Sequence, residues 1–66
     1  MLIYEIVEAA KENPDIKIKC PNGKVLTVLD PYFQMFQIEG VDGFITANQL
    51  TKIFGTRGEY TIVKGM

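Results

Sequence analysis

Apolar residues open the chain in a helical rhythm. Leu2, Ile3, Ile6, Val7 and Ala10 stand at i, i+1, i+4, i+5 and i+8, which is one stripe of a helix. Glu5, Glu8, Lys11 and Glu12 fill the rest of the circumference. Asn13-Pro14 ends the element, because proline cannot continue a helix and restrains the residue before it. The spacing predicts an amphipathic helix over residues 2–12. Its Glu5, Glu8 and Glu12 run reads as a solvated face rather than a surface for a basic partner.

The rhythm then shortens to period two. Residues 15–20 and 24–29 alternate on either side of Asn22-Gly23, the strongest short-range hairpin signal. A two-residue type I′ turn there sets the register: Cys20 opposite Val25, Ile18 opposite Thr27, Ile16 opposite Leu29. Those six share the face under the first helix. Lys17 opposite Val28 and Lys19 opposite Leu26 share the other, a mixed basic and apolar surface that needs a cover.

Asp30-Pro31 fits a helix start or a turn. The aromatic run 32–39 fits a strand, with Tyr32, Gln34, Phe36 and Ile38 on one side and Phe33 and Met35 on the other. Both sides are partly apolar, so the sheet is expected to be covered twice. Gly40-Val41-Asp42-Gly43 is a turn and Phe44-Ile45 a short returning strand. Thr46 and Gln49 form a capping box, Leu50, Ile53 and Phe54 follow at helical spacing, and Gly55 is a stop. A helix is expected over 46–54. After the loop Thr56-Arg57-Gly58, residues 59–63 form a last strand with Tyr60 and Ile62 on one side. The expected fold is α+β, one domain over residues 1–66. It is a small antiparallel sheet with an N-terminal helix and a second helix before the last strand (α-β-β-β-α-β, with a short fourth strand before the second helix).

Length sharpens this picture. The chain has 66 residues. A domain of that size buries only about 60% of its unfolded surface. One cysteine allows no internal disulfide, and with no histidine there is no zinc set. Self-association is therefore the expected source of further stability. A net charge of −1 supplies no basic footprint for DNA or RNA. No apolar run approaches the ~20 residues of a membrane span, and no basic segment leads an apolar N-terminal stretch. The expected setting is cytoplasmic.

Chemistry is sparse. Without serine or histidine the usual nucleophile–base pairs are missing. Cys20 reads as a packing residue although Lys19 and Lys24 are near in sequence, and no cofactor is implied. Lys17, Lys19, Lys24 and Arg57 are candidates for holding phosphate, Arg57 through bidentate donors. Tyr32, Phe36 and Tyr60 are candidates for stacking on a base.

One resemblance adds an activity. A short helix ending Glu8-Ala9-Ala10-Lys11-Glu12, a basic strand, Asn22-Gly23-Lys24, an aromatic strand, Asp42-Gly43, then Gln49-Leu50 in a capped helix and a closing strand resembles the small phage proteins that inhibit Thoeris defence by sequestering its nucleotide signal. It covers about residues 4–63. It implies a non-enzymatic homo-oligomer in the host cytoplasm that encloses a cyclic nucleotide or ADP-ribose-type molecule at a subunit boundary. The other reading of the chain is a small inhibitor or adaptor that binds a protein through its exposed sheet face.

Overall fold

The computed structural model describes residues 1–64 of the chain. Helix α1 spans Ile3–Glu12 and buries Ile3, Ile6, Val7 and Ala10, the stripe read from the sequence. The Glu5 carboxylate accepts from the Leu2 backbone N–H at 2.8 Å and closes the first turn. Asn13 caps the other end, its N–H donating to the Ala9 carbonyl at 2.9 Å.

Strands β1 (Lys17–Lys19) and β2 (Val25–Asp30) form the hairpin, but not in the expected register. Lys17 pairs with Thr27, Ile18 with Leu26 and Lys19 with Val25. The loop is three residues long, Pro21-Asn22-Gly23, closed by a bond from the Cys20 N–H to the Lys24 carbonyl at 2.7 Å. The reason is Pro21. In a two-residue turn Pro21 would have to donate to Lys24, and proline has no N–H. Moved into the loop, it takes the second position of a type I turn, which proline favours. The Gly23 N–H donates to the Cys20 carbonyl at 2.9 Å. Gly23 then sits at φ +89°, the left-handed residue that completes a three-residue hairpin loop. A one-residue slip turns β2 over relative to β1. Leu26 and Val28 therefore join Ile16, Ile18 and Cys20 on the core side, while Val25, Thr27 and Leu29 join Lys17 and Lys19 on the other.

Strand β3 is Met35–Ile38, shorter than the run 32–39. Residues 31–34 are turn. The Asp30 carboxylate accepts from the N–H groups of Tyr32 and Phe33 at 3.0 and 3.2 Å. Gln34 closes the turn at φ +56°. Of the two readings of Asp30-Pro31, the turn is the one adopted. β4 (Ile45–Thr46) pairs with β3 and runs directly into α2 (Ala47–Phe54). The capping box is present: the Gln49 N–H donates to the Thr46 hydroxyl at 3.3 Å, and the Thr46 N–H to the Gln49 side-chain oxygen at 2.9 Å. Gly55 stops the helix at φ +79°. β5 (Thr61–Lys64) crosses back to pair with β1.

All pairings are antiparallel, and the sheet order is β4-β3-β2-β1-β5. The small α+β fold is as expected, with five strands. Cross-strand partners share a face, so the register produces the row Ile38–Leu26–Ile18–Ile62 and beside it Ile45–Phe36–Val28. Helices α1 and α2 both cover this face; Ala47 and Leu50 of α2 join the α1 stripe in one core. The two-sided covering expected of the sheet is not made within the chain. The outer face carries Lys17, Lys19, Val25, Thr27, Leu29, Met35 and Gln37, tied by an ion pair from Lys17 to Glu39 at 2.7 Å. One solvated face is ordinary for an antiparallel sheet.

Candidate functional site

The residues proposed for a phosphate-and-base site do not converge. Phe36 and Tyr60 are both core residues, at 0% and 1% exposure. Phe36 lies in the middle of the helix-covered rows. Tyr60 packs edge-on against Phe54, ring centres 6.1 Å apart. Neither ring presents a face to a ligand, which corrects their assignment as stacking platforms. Tyr32 is 75% exposed, but it sits in the β2–β3 turn, at the opposite end of β2 from Lys24. Lys17 and Lys19 point to the outer sheet face, where Lys17 is already paired.

Two of the cations lie in adjoining loops. Lys24 follows the hairpin turn, and Arg57 lies in the loop after α2. That loop abuts the turn: a Cβ built on Gly58 would lie 3.4 Å from the Pro21 ring and 2.9 Å from the Phe54 Cβ, which is why glycine is needed there. Lys19 reaches the same end from the outer face. Lys24 and Arg57 are exposed.

Cys20 is buried beside Tyr60 on the core face. Burial pushes its thiol pKa upward, so the thiol stays protonated and unreactive. Packing, as read from the sequence, is its place. Burial also raises the Tyr60 phenol, and Cys20 adds to the rise. The Tyr60 hydroxyl is buried and finds no hydrogen-bond partner among the described residues. Leaving a buried hydroxyl unpaired costs about 1–3 kcal/mol. Tyr60→Phe is therefore expected to raise stability by about 1 kcal/mol in urea unfolding at pH 7. The pH dependence has a fixed sign. Both groups hold their protons more tightly folded than unfolded. Stability is flat below the unfolded cysteine pKa of about 9 and falls as pH rises through the raised folded values, with a slope of at most about 1.4 kcal/mol per pH unit for each group. Tyr60→Phe removes one of the two contributions, so its urea midpoint should decline less steeply between pH 9 and 11 than that of the parent. A parallel decline would show that Tyr60 carries no such linkage.

The most developed surface feature involves none of the candidate phosphate or stacking residues. It lies where β4 meets α2. Phe44 and Ile53 are 59% and 62% exposed and flank a shallow cleft of about 420 Å³. Ile38 and Ile45, packed on the core from beneath, line its floor, and Gln49 and Lys52 its rim. A smaller hollow of about 40 Å³ adjoins it, sharing Ile38, Phe44 and Ile45 and lined also by Val41 and Asp42. Val41 is also more than half exposed. The patch follows from local structure. β4 is only two residues long and runs straight into α2, so Phe44 before it and Ile53 on the helix come to the sheet's edge on either side of Ile38 and Ile45. Nothing in the sequence marks Ile53 as exposed, since its place three residues after the core position Leu50 suggests the buried face.

The chain matches no family model, no curated protein and no solved structure.

One further surface is less suggestive. A groove of about 250 Å³ between the helices is bordered by Tyr4, Glu8, Lys11, Gln34 and Asn48, and Glu8 and Lys11 pair with each other at 3.6 Å. Among the described residues, no three acidic, cysteine or histidine side chains stand together as a metal site. No helix among them is long and apolar enough to cross a membrane.

Proposed function

We propose that this chain is a non-enzymatic binding protein that engages another polypeptide through the apolar patch of Phe44 and Ile53. The observation that supports it is the exposure of these two side chains around one cleft. Scattered surface apolar residues are ordinary, but contiguous ones with a polar rim mark interaction sites. The protonated, buried Cys20 also favours binding over covalent chemistry. This moves the protein-binding reading from the outer sheet face to the sheet edge. The test uses the immobilised protein and its Phe44→Asp variant. A partner retained by the first, then purified, is expected to bind it saturably and to lose at least about 100-fold in affinity for the variant, as for a central aromatic anchor. Equal affinity would remove the patch from the function.

A second reading has its own support. Lys24 in the hairpin and Arg57 in the adjoining loop are exposed, with Lys19 nearby on the outer face, a cluster of cations that suits a phosphate-bearing ligand of the cyclic nucleotide or ADP-ribose type. On that reading the protein is a homo-oligomeric sponge of the phage anti-defence kind, acting in the host cytoplasm. Its discriminating experiment is a thermal-shift panel of cyclic nucleotides and cyclic ADP-ribose isomers. A ligand at about 100 times its Kd stabilises by about 2.7 kcal/mol, a rise of more than about 10 °C for a domain of this size. Loss of that rise in Arg57→Ala would place the phosphate; no rise with any compound counts against the sponge.

A further inference from the structure

We propose that the Phe44–Ile53 patch is a twofold interface between two copies of this chain. The inference rests on the reading that the patch binds protein, and it names the first partner. An interface between identical surfaces about a twofold axis has to be complementary to itself. This patch carries both halves of such a fit. Phe44 and Ile53 stand out from the surface as knobs, and the cleft of about 420 Å³ beside them is an apolar hollow floored by Ile38 and Ile45. A flat or convex apolar surface would lack the second half.

Charge gives the same geometry from an independent set of residues. The two hollows share Phe44, Ile38 and Ile45, and of these Phe44 is the exposed one. Beyond those shared residues, Lys52 lines only the larger hollow and Asp42 only the smaller. Neither makes an ion pair among the described residues. A twofold axis passing near Phe44 exchanges the two hollows. It brings Asp42 of one copy to Lys52 of the second, and the reverse, around a central aromatic pair. An apolar centre with a charged rim is the usual anatomy of a specific interface.

The edge strand sets the mode of contact. β4 is two residues long and the N–H of Thr46 is already taken by Gln49. So short an edge cannot template a continuous intermolecular sheet. The copies meet through side chains. Size supplies the driving force, since a chain of 66 residues has a marginal core of its own.

The test is sedimentation of the full chain and four variants over a range of concentrations. The parent is expected as a dimer. Phe44→Asp should weaken dimerisation by at least about 100-fold; Phe44 is more than half exposed, so the variant keeps its fold, checked by its circular dichroism melt. Asp42→Lys and Lys52→Asp each set like charges against each other twice per dimer and should weaken it about tenfold. The double exchange Asp42→Lys with Lys52→Asp restores both pairs and should recover most of that loss. A parent that stays monomeric overturns the inference, as does a dimer indifferent to Phe44→Asp or a double exchange no better than the singles. If the parent is monomeric yet Phe44→Asp still loses a captured partner, only the inference fails. If Phe44→Asp changes neither, the binding reading fails with it.

Discussion

Leu26→Lys abolishes folding, whereas Leu29→Lys leaves the domain folded. The two leucines lie three residues apart on one strand, and the two possible hairpin registers assign them opposite fates. In the observed register Leu26 is 0% exposed, in the central strand of five, between Ile18 and Ile38. A lysine there has no path to water along its own stem. Burying an unpaired ammonium, even after it loses its proton, costs more than about 4 kcal/mol. A domain below 70–80 residues rarely holds more than about 3–5 kcal/mol in total. The variant should show no cooperative thermal transition by far-UV circular dichroism. Leu29 is 49% exposed on the outer face, so the same change there should shift the urea midpoint by the equivalent of less than about 1 kcal/mol. A two-residue turn would pair Leu29 with Ile16 in the core and reverse the two results. The pair of variants therefore reads the register in solution.

Register is also where the sequence misleads most instructively. Asn-Gly between alternating strands promises a type I′ turn, and that signal was real as far as the presence of a hairpin. The donor that Pro21 lacks settled which turn, and its effect passed to every residue of β2. Elements governed by local chemistry were legible: the α1 stripe, the Thr46–Gln49 box, the stop at Gly55, and a closing strand after Gly58, which begins at Thr61 rather than Glu59. Pro21 was legible in principle too, because the accounting of backbone donors needs no coordinates. The Tyr32–Gln34 turn was harder. Asp30 holds it with its carboxylate, and the same three residues have good strand propensity until that cap is seen.

The candidate site was less legible than the fold, and for a different reason. Aromatic residues serve cores and ligand platforms alike, and composition cannot separate the two. Which one wins depends on long-range packing: Tyr60 faces the core only because β5 returns to pair with β1, and Phe36 only because α1 and α2 choose the same side of the sheet. The Phe44–Ile53 patch depends on β4 stopping after two residues and running straight into α2 at the sheet's edge. An apolar side chain without a neighbour looks the same in a sequence as one with many.

Phe36→Ala is the second large effect, and it distinguishes a core residue from a binding one without any ligand. Phe36 is fully buried, with Val28 beside it on β2 and Ile45 on β4. Truncating a buried phenylalanine costs about 3–5 kcal/mol through lost transfer energy and the cavity left behind. That is comparable with everything a domain of this size has. The protein should be largely unfolded at 25 °C, with urea no longer producing a sigmoidal transition. Phe36→Leu keeps most of the volume and should remain folded, at a cost of about 1–1.5 kcal/mol. If Phe36 instead offered its ring to a base in an open site, alanine would leave the melting temperature within about 5 °C of the parent, since 1 kcal/mol moves a small domain by about 4–8 °C. Melting curves of the two variants, taken with no ligand present, separate the alternatives. An unfolded alanine variant beside a folded leucine variant would fix the ring of Phe36 as the piece that joins the edge strands to the helix layer.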